Sequence, residues 1–347
     1  MIKALIMCGG IGTRIWPKSV PEKPKQFQKM LDQKTMLQHT YERLSKYLNK
    51  DSIYFSTREE FVDLIIEQID NVNINNIIIE PCSMNTAPSI LFATLFIKNQ
   101  EKGKFNLFVV PSDHMILDED LFLNSLTIAN EEITNDKSKI ITFGILPNRA
   151  ETNYGYIKIQ NNILDNEINR LQKAETFIEK PDYKLAKKYV KKGTYFWNSG
   201  MYIFNSEIII EEYKKYDEYN YNIINNICKS KLFNNIDKKR YSLCKNISID
   251  CAIMEKSENI FVLPVNFRWD DIGVWSALKR YIKCDKEKNI LHGNIKINNA
   301  SNNLVYSDDR EIIINDIDNI YCINSNGKII IGKVNNLSKV YLLKEEK

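Results

Sequence analysis

The residues best placed to do chemistry stand at the start of the chain. Ile2–Met7 is an apolar run of strand length. Side chains then vanish at Gly9, Gly10 and Gly12, and Arg14, Lys18, Lys23 and Lys25 follow at once. Glycine allows a tight turn and lets the phosphates of another molecule approach bare N–H groups. Amides followed by cations suit a polyphosphate. The loop is not a P-loop, since no Gly-Lys-Ser/Thr closes it. Nor is it a dinucleotide fingerprint, since Ile15 stands where the third glycine belongs. Acids follow at two distant points, Asp113 in VVPSDHMI and the pair Asp270-Asp271 in FRWDDIGVW.

The elements that must position these groups alternate between strand and helix. Thr35 and Gln38 form a capping box for a helix running to Leu48. Strands are expected at Ile53–Phe55, Ile77–Ile79, Leu107–Val110 and Ile140–Phe143. Helices are expected at Glu59–Ile69, Ala87–Ile97 (apolar enough to be buried) and Leu121–Ile133. This is an α/β pattern, a doubly wound, mixed or parallel sheet with helices on both faces. Ligands in such sheets bind outside the carboxyl ends of the strands, which picks out Cys8-Gly9-Gly10, Glu80-Pro81 and Pro111-Ser112-Asp113-His114. Further on, strands are expected at Tyr154–Ile159, Thr176–Ile178, Tyr202–Phe204 and Ile260–Val265. Helices are expected at 181–192, within 206–245, at Ile249–Lys256 and at Val274–Tyr281. Past residue 288, short apolar runs at Leu304–Tyr306, Ile312–Ile314, Ile320–Ile323 and Ile329–Ile331 recur with polar residues between them, the pattern of a small all-β domain. The expected domains are 1–287 and 288–347.

Lys+Arg number 48 against 44 Asp+Glu in 347 residues, a balance that argues against a dedicated nucleic-acid binder. Seven scattered cysteines without a CxxC read as free thiols in a reducing compartment. No secretory leader and no run near the ~20 apolar residues of a membrane span is present, so a soluble cytoplasmic protein is expected.

GGxGTRxWP followed by KPKQF (Gly9–Pro17 and Lys23–Phe27) resembles the signature of sugar-1-phosphate nucleotidyltransferases, in the version carried by mannose-1-phosphate guanylyltransferases. The resemblance runs through the whole chain. It implies that GTP and mannose 1-phosphate give GDP-mannose and diphosphate by in-line attack, with Mg²⁺. The attacking phosphate is already ionised, so the reaction asks for positioning, cations and a divalent metal rather than a base. By the resemblance Arg14 and Lys25 contact phosphates, and Asp113 and Asp271 are the catalytic acids and metal ligands. Gly9, Gly10, Gly12, Thr13 and Ser112 join the nucleotide set. Glu80, Asn85 and Thr86, in EPCSMNTAPSI, would lie near the base. ETNYGYI, FIEKP and FWNSGMYIF imply a sugar-phosphate set of Gly155, Glu179, Lys180 and Asn198. SIDCAIMEK is similar to the family too and reads as a helix cap. The resemblance further implies a left-handed β-helix-like C-terminal domain and a homodimer; longer members of the family carry a fused isomerase domain, and none is expected here.

Each residue also has a plainer reading. Arg and Lys are usually solvated, Asp113 can cap a helix, and Asp118, Glu119 and Asp120 sit where acids favour a helix dipole. His114 is set aside as structural. The chain departs from the family at Met84, where arginine is frequent, at Asn153, where glycine is usual and Asn tolerates the left-handed backbone, and at Ala150. Another sugar 1-phosphate or base, or a silent nucleotide-sugar-binding paralogue, are the alternatives.

Overall fold

A computed structural model of the chain describes residues 1–160, 168–229 and 238–344. Part of the helical expectation for 206–245 (residues 230–237) lies outside the described residues. The chain forms two compact units. The first comprises Met1–Gly9, Thr40–Ser112 and Ile116–Trp269, and the second Gly10–His39, Asp113–Met115 and Asp270–Lys347. The second unit thus begins well before residue 288 and gathers most of the glycine loop and both acid-bearing segments with the C-terminal strands.

The strands up to Asp270 are β1 (Ile2–Met7), β2 (Ile53–Arg58), β3 (Ile77–Glu80), β4 (Asn106–Pro111), β5 (Met115–Ile116), β6 (Ile140–Ile145), β7 (Tyr156–Ile159), β8 (Gln172–Ile178), β9 (Tyr195–Asn205), β10 (Ile260–Val265) and β11 (Trp269–Asp270). The first unit is built on a nine-stranded sheet of order β3-β2-β1-β4-β9-β6-β10-β8-β7. β3, β2, β1 and β4 are parallel, with Met7 opposite both Ser56 and Pro111 and Arg58 opposite Glu80. Their carboxyl ends therefore share one edge, and Cys8, Glu80 and Ser112 all end there.

β9 runs antiparallel to β4 and β6, which makes the sheet mixed. It is longer than the Tyr202–Phe204 segment expected from the sequence, since residues 195–201 are strand as well, with Gly200 at φ 68°. Its first residues pair with β7, and β7, β8, β10, β6 and β9 pair in a closed ring. Ile157, Ile159, Phe196 and Val262 fill a small core there.

The helices are α1 (Met36–Ser45), α2 (Val62–Gln68), α3 (Thr86–Glu101), α4 (Glu119–Asn135), α5 (Tyr183–Lys192), α6 (Ser206–Tyr216), α7 (Glu218–Lys229) and α8 (Lys238–Tyr241). The capping box of α1 forms as expected. Thr35 N donates to Gln38 Oε1 at 2.8 Å and Gln38 N to Thr35 Oγ1 at 3.2 Å. α3 is buried along Ala87–Leu95 and again at Ile97, in the main core of the first unit. Each fully buried Leu, Ile or Phe there contributes about 1.5–3 kcal/mol. Residues 250–254 form a π-turn and Trp275–Arg280 a 3₁₀ helix, where longer α-helices were expected.

In the second unit the C-terminal strands are β12 (Ile290–His292), β13 (Ile295–Asn298), β14 (Leu304–Ser307), β15 (Ile312–Asn315), β16 (Ile320–Ser325) and β17 (Lys328–Lys333). β12, β14 and β16 form one parallel ladder, and β13 and β15 another. β14 pairs with β16, and β13 with β15, at an offset of 17 residues. Corner residues stack at that same offset, as in Asn302 with Asn319 and Asn299 with Asp316. The spacing of apolar runs along the sequence is thus half of one coil. The four corner residues have φ of 45–60°, a region Asn and Asp tolerate.

A Cβ added at Gly144 would lie 2.4 Å from Val262 Cγ1 and 3.0 Å from Phe196 Cβ. Gly144→Ala should therefore lower the unfolding free energy by about 1–3 kcal/mol, read by denaturant titration.

Candidate active site

In the second unit the cations and acids converge on Lys25. Lys25 lies in a short 3₁₀ turn (Lys25–Phe27) and its side chain is 3% exposed. Its Nζ sits 3.0 Å from Asp113 Oδ2 and 2.8 Å from Asp271 Oδ1. Burial works to lower the Lys25 ammonium's pKa, but the two carboxylates outweigh it and raise it. Burial likewise works to raise the Asp271 carboxyl, and Lys25 above all holds it far below the carboxylate range. Arg14, 47% exposed, brings its guanidinium within 3.7 Å of Asp271 Oδ2. A Cβ at Gly273 would stand 3.2 Å from that guanidinium.

The two neighbouring aspartates are told apart. Asp270 is buried and accepts two hydrogen bonds from Arg280, at 2.6 and 2.7 Å. Asp271 faces Lys25. Successive residues of an extended segment point to opposite sides, so only one of the pair can reach the lysine. His114 is depressed by burial, more than the nearby aspartates hold it up, and adds no cation at neutral pH.

The glycine loop is shaped by these same neighbours. Gly12 has φ 52°, and a Cβ there would stand 3.0 Å from Lys25 Cβ. A Cβ at Gly10 would meet nothing within 4 Å, so its missing side chain leaves open space. Gln26 Nε2 donates to Gly10 O at 2.7 Å and fixes the loop's course. Thr13 and Arg14 belong to the 3₁₀ turn Thr13–Ile15 that follows. Lys18 turns away from the acids. It pairs with Asp308 at 2.5 Å and lies over the Tyr306 ring, both on the C-terminal strands.

The first unit holds two further groups. Glu80 is buried at the end of β3, and its carboxylate accepts from Ser56 and Ser89, each at 2.8 Å. Burial raises its pKa, against those hydrogen bonds. A Cβ at Gly9 would stand 3.3 Å from Glu80 Oε1. Asn85, at φ 71°, accepts from Thr86 N, and Thr86 Oγ1 accepts from Ile249 N. Ser112 Oγ donates to Met7 O at 2.6 Å. These four side chains thus hold the strand ends together through bonds within the protein. Met84 packs on the apolar core. Asn153 has no positive φ; its amide donates to Glu151 Oε1 instead.

Gly155, Glu179 and Asn198 come together around β7 and β9. A Cβ at Gly155 would lie 2.8 Å from Glu179 Oε2, and Asn198 N donates to Gly155 O at 2.8 Å. Lys180, at φ 42°, pairs with Glu179 at 2.7 Å. Asn198 Nδ2 donates to Tyr202 Oη and to Asp250 Oδ1. Asp250 is the residue the sequence reading passed over as part of a cap. The signal was a carboxylate among apolar neighbours in SIDCAIMEK, and the segment forms a π-turn, a rare element frequent at functional sites.

Against this geometry stand the likenesses to known proteins. A family model for nucleotidyl transferases matches residues 3–288, and the chain belongs to that family. It is 34% identical over 343 residues to a mannose-1-phosphate guanylyltransferase of Salmonella muenchen, covering 97% of this chain and 71% of that protein. It is 31% identical to the alginate biosynthesis protein AlgA of Pseudomonas fluorescens, covering 94% and 68%. The structure of a mannose-1-phosphate geranyltransferase from Thermus thermophilus superposes with a TM-score of 0.86 at 26% identity, over 99% of this chain and 98% of that one. No helix among the described residues is long and apolar enough to cross a membrane.

The aspartates should separate by variant. Asp271→Asn should lower turnover about 100-fold or more with the fold kept. Asp270→Asn, which strips Arg280 of a buried partner, should instead cost about 1–3 kcal/mol of stability. Pyrophosphate release and thermal melts on both variants check this; equal effects on turnover would remove the distinction.

Proposed function

We propose that the protein is a mannose-1-phosphate guanylyltransferase, forming GDP-mannose and diphosphate from GTP and mannose 1-phosphate. The observation that carries this reading is the Lys25 ammonium held between Asp113 and Asp271 with Arg14 beside them. Relatives over 30% identical that are named mannose-1-phosphate guanylyltransferases support the choice of substrates.

The chemistry needs no base, because the attacking phosphate oxygen carries its own charge. Lys25 and Arg14 offset charge that develops as diphosphate departs. The open space at Gly10 admits a phosphate to the loop amides. Two carboxylates on one small focus, of which Asp271 stays ionised at any physiological pH, fit Mg²⁺, which takes one or two protein carboxylates with substrate phosphates. Bound there, Mg²⁺ would supply charge neutralisation at the transferring phosphate. Glu179, Lys180, Gly155 and Asn198 make the sugar-phosphate set, Asn198 by holding its neighbours in place, since its amide is bonded within the protein. Ser112, Glu80, Asn85 and Thr86 are read as the nucleotide set from their motifs. The parallel ladders at a 17-residue offset support reading the C-terminal segment as a short β-helix. A homodimer working in the cytoplasm completes the reading.

The test is a panel of triphosphates and sugar 1-phosphates scored by diphosphate release. GTP with mannose 1-phosphate and Mg²⁺ should be the most active combination, and EDTA should abolish turnover. Another pair winning by tenfold would replace the substrates; undiminished turnover in EDTA would remove the metal.

A further inference from the structure

The network around Asn198 accounts for all of that residue's hydrogen-bonding capacity. Its two N–H groups go to Tyr202 Oη at 2.9 Å and Asp250 Oδ1 at 2.7 Å. Its carbonyl oxygen accepts from Gly200 N and Thr142 Oγ1, both at 3.2 Å. A primary amide has two donors and one acceptor oxygen with two lone pairs, so nothing of Asn198 is left over for a ligand. Tyr202 then gives its single proton to Asp250 Oδ1 at 2.5 Å.

Asp250 is the opposite case. Both of its bonds from other residues fall on Oδ1, and Oδ2 receives none from another described residue. The two internal bonds need one acceptor oxygen, which an asparagine would also provide. Apart from a bond with its own backbone, nothing among the described residues calls on the charge or the second oxygen. The charge has a cost, since burial raises the Asp250 carboxyl and Glu179 adds like charge. No cation is paired with Asp250 among the described residues. Two neighbouring carboxylates with spare acceptor atoms are relieved by a ligand that brings donors without charge, and vicinal hydroxyls are such donors.

We propose that Asp250 Oδ2 accepts a hydrogen bond from a hydroxyl of the sugar 1-phosphate, alongside Glu179, and that Asn198, Tyr202 and Thr142 are positioning residues that aim it. This makes Asp250 a specificity-determining residue, and it rests on the sugar-phosphate reading above.

Asp250→Asn preserves shape and the Oδ1 acceptor but replaces Oδ2 by a donor. It should raise KM for the sugar 1-phosphate about 10–100-fold, the worth of one hydrogen bond to a charged group, with KM for GTP unchanged. Deoxy analogues of the sugar phosphate should locate the hydroxyl. One of them should bind the wild type more weakly by a similar factor, yet bind the variant no worse than the parent sugar does. Tyr202→Phe keeps Oδ2 but removes one of the two bonds that aim it, so it should raise the same KM by clearly less than Asp250→Asn does, again with KM for GTP unchanged. An unchanged sugar KM in Asp250→Asn, or equal rises in both variants, would overturn the proposal and leave a structural network. Should Asp250→Asn not fold, the wild type alone decides: no deoxy analogue losing more than about threefold would overturn it equally. Wild-type protein that turns over no sugar phosphate at all would instead refute the nucleotidyltransferase reading.

Discussion

A lysine ammonium taken out of water between two carboxylates governs the second unit. Burying an isolated ammonium costs several kcal/mol even after relaxation, and one carboxylate seldom repays it. Lys25 has two, at 3.0 and 2.8 Å, and Asp271 lies 246 residues further along the chain. The contact therefore draws together segments that the sequence scatters. It explains why residues 10–39, three residues around His114 and everything after Asp270 cluster as one compact unit. With Arg14 beside it, the cluster sets two cations against two carboxylates, a balance suited to exchanging one positive partner for another.

The C-terminal strands belong to this arrangement and are not an appendage to it. Ile15, Met30 and Met36 share one core with Leu304, Tyr306, Tyr321 and Ile323. Trp275 Nε1 donates to Trp16 O at 2.8 Å, Asn326 Nδ2 to Pro17 O at 3.0 Å, and Lys18 ends on Asp308. The loop that follows the glycines thus lies on a wall of parallel strands, and its conformation is set by residues some 290 positions away. A glycine-rich loop is free in itself; here the freedom is removed by packing on one side while Gly10 stays open.

How much of this was legible in the sequence depended on the range of the interaction. The capping box at Thr35, the buried character of α3, the strand before the glycines and the ends of β3 and β4 are local, and period and composition reveal them. The paired half-coils past residue 288 were visible as a spacing, but their pairing at an offset of 17 residues needed the fold. Sequence proximity misled at Lys18, which stands among the loop cations yet neutralises Asp308. The motifs of Glu80, Asn85, Thr86 and Ser112 are legible as well, whereas the bonds their side chains make within the protein needed the fold. Asp250 was hidden for the converse reason: its neighbours in sequence are apolar, and its partners Asn198 and Tyr202 lie about 50 residues away.

Particular carboxylates of the two units are answered by different partners, although Glu179 of the first unit keeps Lys180. In the second unit Asp113 and Asp271 are neutralised by Lys25 and Arg14. In the first, Glu80 is buried and satisfied by hydroxyls of Ser56 and Ser89, without any cation among its hydrogen-bond partners. Asp250 likewise has no cation paired with it among the described residues and accepts from the Tyr202 hydroxyl and the Asn198 amide. A carboxylate answered by ammonium groups discriminates by charge, whereas one answered by hydroxyls discriminates by where oxygens stand on a ring. An enzyme joining a triphosphate to a sugar phosphate needs both kinds of discrimination, and the chain separates them by the partner it gives each acid.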